Sequence, residues 1–188
     1  RYGRNLETYL RLTTEALVAE HPVLVVWPES ALTFFLEDEP AYRSNIAKTL
    51  ASHDVELLTG GPRTAGTTGQ HYNAAFLLAP DGTTRAVYDK RTLLPFGEYY
   101  PFGTEALVRR GFGGVAAFRP GDPSPPLPSR VGALGMLICN EAFYPELAAA
   151  RVAEGAEALV VLANDSWAAS PQFAGIAAAM ATFRAVEL

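Results

Sequence analysis

Cysteine is nearly absent: one residue in 188, Cys139, which excludes an intrachain disulfide and leaves the redox compartment undecided. No apolar run approaches the roughly 20 residues that cross a bilayer, and no leader peptide is visible, so the chain as it stands is expected to be soluble. Basic residues are scattered, 15 against 20 acidic ones, for a net charge of -5. That balance, with a pI near 5.2, argues against a nucleic-acid groove, where Lys and Arg must cluster. No spacing of His, Cys and acidic residues resembles a metal-ligand set. The glycine segments "GGP" (60–62) and "GFGG" (111–114) lack the lysine and helix start of a phosphate loop. Internal repeats and low-complexity tracts are missing too.

What is present suits a single globular domain: 49% hydrophobic residues, 19% charged and enough length for a real core. A small-molecule or lipid partner fits better than a polyanion. Leu6, Leu10 and Leu17 lie at helical spacing in residues 5–20, ended by His21-Pro22. "VLVVW" (23–27) reads as a strand covered on both faces. A helix over 42–52 and a strand over 55–59, closed by "GGP", follow. Asp81-Gly82 marks the turn of a hairpin between "NAAFLLA" and "TTRAVYD". Residues 95–130 form a long loop region, and loops of that length are usually functional. The strand "VGALGMLIC" (131–139), a helix over 144–154, the strand "ALVVLA" (158–163) and a C-terminal helical run complete an alternation. The pattern predicts a layered α/β domain with a mixed sheet.

Three polar residues stand where apolar strands run out: Glu29, Lys90 and Cys139. Each has an ordinary alternative: a loop carboxylate, a solvated Lys-Arg pair, a small buried hydrophobe. Together they satisfy a chemical requirement. A carboxylate of raised pKa can take the thiol proton, and an ammonium can favour the thiolate and then a tetrahedral oxyanion. The histidines suit a Cys-His pair poorly, since His21 and His53 lie at helix ends and His71 starts a strand.

With Glu, Lys and Cys in that chain order, the sequence resembles the nitrilase, or carbon-nitrogen hydrolase, superfamily. The segments "VVWPES" (25–30), "YDKRTLLPFGEYYPF" (88–102), "ICNEAFYPEL" (138–147), "NDSW" (164–167) and "FRAVE" (183–187) resemble its apolipoprotein N-acyltransferase branch, with "LLPFGEYYP" the most discriminating. The resemblance implies an α-β-β-α sandwich with mixed sheets, here a fragment. Residues 1–188 would be the catalytic domain truncated at both ends, without the membrane helices of its parent. It implies a Glu29-Lys90-Cys139 triad, with Glu98 orienting the lysine and Glu141 either an accessory acid or a cap for the following helix. The Asn140 backbone N–H would be an oxyanion donor, at a position where the family commonly carries Tyr. Asn73 and Trp167 would pack around the pocket.

The implied activity is transfer of an acyl chain from a phospholipid, through a Cys139 thioester, to the terminal amine of a diacylated lipoprotein. It needs no cofactor and would act on the extracytoplasmic face of the bacterial inner membrane. Apolar loop residues would meet the membrane: Phe34, Phe35 and Leu36, Tyr99, Tyr100 and Phe102, and Phe112. Gly97, Gly103, Gly111, Gly113 and Gly114 would let the intervening segment move as a lid. Alternatives are a soluble amidase or carbamoylase, in which water attacks the thioester, and a non-catalytic interaction domain.

Overall fold

A computed structural model describes residues 3–66, 70–101, 118–168 and 171–188. Helix α1 (Gly3–Glu20) leads to strand β1 (Leu24–Val26), helix α2 (Pro40–Ala51), and strands β2 (Glu56–Ala65), β3 (Gln70–Leu78) and β4 (Thr84–Asp89). After these come β5 (Leu127–Ser129), β6 (Gly132–Ile138), helix α3 (Pro145–Ala153), β7 (Ala158–Leu162) and helix α4 (Pro171–Glu187). Two mixed sheets result, ordered β1-β2-β3-β4 and β5-β6-β7.

Alternation along β3 explains the layering. Ala74, Phe76 and Leu78 face one core with Leu6 and Leu17 of α1 and Ile46 and Leu50 of α2. Ala75 and Leu77 face the other, where Leu58 and Tyr88 meet Leu134, Met136 and Ile138 of β6. A strand buried on both faces must be apolar at every position, and β3 is so from Ala74 to Leu78. Helix α3 covers β6 and β7 on the far side. The molecule is an α-β-β-α sandwich, as expected.

Local hydrogen bonds fix two of the junctions. Asp81 Oδ1 accepts the Thr83 backbone N–H at 2.9 Å, and Gly82 takes φ 78° in the hairpin turn. Trp27 Nε1 donates to Thr13 Oγ1 at 2.9 Å, tying the end of β1 to α1.

Three expectations are corrected. "GGP" does not close β2, which runs on to Ala65. β1 pairs with β2 only as far as Leu58, and beyond that point β2 is laddered on one side, where a proline is tolerated. The "VLVVW" strand is not covered on both faces: β1 is an edge strand, and Val26 is 48% exposed. The 95–130 region is not all loop, since it contains β5 and an isolated bridge between His71 and Phe118. The lid segment, with Phe102, Gly103, Gly111, Phe112, Gly113 and Gly114, lies largely outside the described residues.

A candidate active site between two sheets

Glu29 and Lys90 follow β1 and β4, the two edge strands of the first sheet, whereas Cys139 follows β6 of the second. The three apolar strands that they end therefore belong to two sheets, not to one. The three residues meet at the end of the sandwich where the carboxyl ends of β1, β4 and β6 coincide. They line a cavity of about 530 Å³ together with Asn73, Glu98, Asn164 and Trp167.

The backbone before Glu29 stays bonded to β2, with Trp27 N–H donating to Leu58 O at 2.8 Å and Gly60 N–H to Pro28 O at 3.3 Å. Gly60 is the seat of this turn, because a Cβ there would stand 2.7 Å from the Glu29 Cα. The Glu29 carboxylate accepts the Asn73 side-chain amide at 2.8 Å and the Asn164 backbone N–H at 3.0 Å. Burial raises its pKa above the ordinary 4.5, and the Asn73 hydrogen bond and the Lys90 charge only partly offset that.

Lys90 is no surface residue. It is 1% exposed, its N–H donates to Asn73 O and its carbonyl accepts from Gly121 N–H, both at 2.8 Å. Its ammonium donates to Glu98 Oε2 at 2.8 Å. Glu98, itself buried, also accepts Asn73 Nδ2 at 2.8 Å and Leu94 N–H at 2.7 Å. Asn73 therefore bridges the two carboxylates, and Glu98 pins the lysine.

Cys139 sits in the left-handed region, φ 55°, at the sharp passage from β6 into a 3₁₀ turn, Cys139–Phe143. A non-glycine residue there carries about 1–2 kcal/mol of strain, which the surrounding bonds must hold. The thiol is pushed up to about 11, chiefly by burial and then by the Glu29 charge. The Lys90 charge and a hydrogen bond from the Asn140 backbone N–H pull the other way.

Glu141 is fully buried and caps no part of α3. One oxygen accepts the Arg91 and Thr92 N–H groups at 2.8 and 2.9 Å, and the other accepts Ile138 N–H at 2.8 Å. The Tyr88 hydroxyl donates to both, at 3.0 and 2.9 Å. Glu141 thus staples the backbone after Lys90 to the backbone before Cys139. The Asn140 side chain donates to Thr92 O at 3.2 Å.

A second cavity, about 400 Å³ and mainly apolar, opens beside the same cysteine, with Asn140 and Asp165 also in its wall. Leu94, Phe143, Val161, Trp167, Phe173 and Ala177 line it, along with other residues of α4. Trp167, 60% exposed, stands at both cavities and packs on Phe173 with ring centroids 5.2 Å apart.

Among the described residues the structure brings Glu29, Asn73, Lys90, Glu98, Cys139 and Trp167 to one chamber and Asn140 to the cavity beside it, with Glu141 bonded to the adjoining backbone, whereas Tyr99 and Tyr100 line neither cavity. Phe34 and Leu36 are buried in the core against α2, because the turn after Glu29 folds inward, and Phe35 packs on His71. Tyr99 is exposed and Tyr100 half-buried. Among the described residues no histidine lines either cavity. Sequence reasoning missed Tyr88, whose signal was its inward alternation two residues before Lys90, and the Asn164 backbone, already inside the quoted "NDSW".

The carbon-nitrogen hydrolase family model matches residues 3–187. The chain belongs to this family. It is 36% identical over 182 residues to an apolipoprotein N-acyltransferase of Geobacter metallireducens, covering 95% of this chain and 35% of that protein. Apolipoprotein N-acyltransferase 2 of Treponema denticola is 30% identical, covering 100% and 39%. The chain thus spans little more than a third of the length of these relatives. A carbon-nitrogen hydrolase structure from Helicobacter pylori G27 superposes with a TM-score of 0.75 at 20% identity, covering 98% of this chain and 65% of that one. An amidase from Nesterenkonia sp., whose active-site cysteine carries the acetamide moiety of fluoroacetamide, gives a TM-score of 0.63 at 23% identity, covering 87% and 59%. Both likenesses bear on the fold alone. Among the described residues no helix is long and apolar enough to cross a membrane.

Proposed function

We propose that this domain is the catalytic part of an N-acyltransferase. It would move an acyl chain from a phospholipid, through a thioester on Cys139, to the terminal amine of a diacylglyceryl-cysteine lipoprotein at the extracytoplasmic face of the bacterial inner membrane. The observation that carries this reading is the pairing of cavities on one sulfur. A chamber holding Glu29, Lys90 and Glu98 lies on one side, and an apolar cavity suited to a hydrocarbon chain on the other. The named N-acyltransferase relatives support it.

With the thiol near 11, only about one sulfur in ten thousand is ionised at neutral pH, so the proton must leave during attack. Glu29, kept basic by its burial, takes that proton as the sulfur–carbon bond forms. The oxyanion is met by the Lys90 ammonium and the Asn140 N–H. Glu29 then delivers the proton to the departing lysophospholipid alkoxide as the ester C–O bond breaks. In the second half the amine attacks the thioester, the C–N bond forms, the C–S bond breaks, and Glu29 returns the amine proton to sulfur.

Mass spectrometry of the full-length protein incubated with phospholipid tests this directly. An acyl adduct on Cys139, lost in Cys139→Ala and discharged by a diacylated peptide, is the expected result. Release of ammonia from small amides with no adduct from phospholipid would instead make the chain an amidase.

A further inference from the structure

We propose that Arg91 and Arg119 form a recognition site for the phosphodiester of the glycerophospholipid donor; the assignment deepens the acyl-donor reading above and rests on it. Both arginines line a third cavity, about 560 Å³, with Gln70, Thr92, Tyr99 and Phe118. Phe118 is also a wall of the chamber that holds Glu29 and Lys90. The three spaces thus run in series: apolar cavity, reaction chamber, basic cavity. A glycerophospholipid carries its groups in the same order: hydrocarbon, ester, phosphodiester. With the ester carbonyl at Cys139 and the tail toward α4, the phosphodiester points past Phe118.

Charge pairing and position together set these two residues apart: among the described residues Arg4 and Lys48 also lack a carboxylate partner, but neither lines any of the three cavities. Arg11, Arg63, Arg85, Arg130, Arg151 and Arg184 each pair with a carboxylate. Arg43 is bonded to Gly82 O and Thr84 Oγ1. Among the described residues neither Arg91 nor Arg119 has such a partner, and Arg91 Nη1 is buried without any hydrogen bond. A buried donor left unmatched is unfavourable, and a planar guanidinium is geometrically suited to phosphate oxygens. Two unpaired cations at one cavity, in a chain of net charge -5, mark an anion site.

The roots of both side chains are fixed to the reaction framework. Arg91 N–H is held by Glu141 at 2.8 Å. Arg119 N–H donates to His71 O at 2.8 Å, and its neighbour Phe118 N–H donates to Glu98 O at 3.1 Å. The basic cavity is therefore set at a fixed offset from the sulfur.

The test uses Arg91→Gln, Arg119→Gln and the double variant of the full-length protein, with two acyl donors of the same chain length: a short-chain glycerophospholipid and the p-nitrophenyl ester, which has no phosphate. The quantity read is the ratio of kcat/KM for the two donors. It should fall about tenfold for either single variant and further for the double one, whereas a merely structural defect lowers both rates and leaves the ratio alone. An unchanged ratio overturns the proposal. A calorimetric titration with soluble glycerophosphoethanolamine and with inorganic phosphate forms a second arm that does not depend on catalysis. Glycerophosphoethanolamine binding weakened in the double variant supports the site even if phospholipid never acylates Cys139, which would be a failure of the acyl-donor reading alone. Binding unaffected by the substitutions, or inorganic phosphate binding as tightly as the glycerophosphodiester, overturns the lipid assignment.

Discussion

On one side of Cys139 the walls are Glu29, Lys90, Glu98 and Asn73, cross-linked by hydrogen bonds of 2.8 Å. On the other they are chiefly Phe143, Val161 and the alanines of α4, and among the described residues these apolar side chains carry no bonded framework of that kind. The polar side is assembled from the ends of β1 and β4, from Asn73 of β3 and from the segment after Lys90, and the apolar side mainly from the 3₁₀ turn, β7 and α4. The difference separates two tasks. Moving charge demands groups held rigidly in a dry, polar frame. Accepting a hydrocarbon demands only apolar volume of sufficient length.

Substitutions on the two sides should therefore fail differently. Glu29→Gln removes the base and is expected to slow acylation of Cys139 by about 10²–10⁴, equally for donors of every chain length. In the wild type the rate should fall as pH drops through the Glu29 pKa. Burial raises that value above 4.5, so the acid limb lies above the range of an ordinary glutamate and should be missing in Glu29→Gln. Stopped-flow acylation against pH reads both effects. Ala177→Phe intrudes on the apolar side; kcat/KM for long-chain donors should drop about tenfold while short-chain donors are little affected. A uniform loss across chain lengths would remove the division of labour.

The smallest expected effect falls on the buried Tyr88–Glu141 pair, which ties the backbone after Lys90 to that before Cys139. Tyr88→Phe leaves the buried Glu141 short of one donor and should cost about 1–2 kcal/mol. That corresponds to a Tm lowered by about 2–8 °C in calorimetry, with chain-length preference unchanged.

The sheet core was legible in the sequence because its causes are local. Alternation over "NAAFLLA", the Asp81-Gly82 turn and the apolar runs of β6 and β7 each act within a few residues. Glu29, Lys90 and Cys139 stood out as polar residues ending apolar strands, although their origin in two facing sheets did not. The segment after Lys90 was opaque for a physical reason: its backbone N–H groups are held by Glu98 and Glu141 rather than by a ladder. The Glu141 contacts span about 50 residues of sequence, beyond any periodicity. Phe34 and Leu36 misled because an aromatic loop reads the same whether it faces the lipid or folds under a turn, and here Gly60 lets the turn fold under.

The central claim is that Glu29 and Lys90 act on one sulfur with opposite sign. Alkylation of Cys139 by iodoacetamide across the alkaline range measures the thiol directly, with a wild-type midpoint expected at about 11. Glu29→Gln should move that midpoint down, by removing a neighbouring anion, and Lys90→Met should move it up, by removing a cation. Midpoints that stay put, or that shift in the same direction in both variants, would contradict the account.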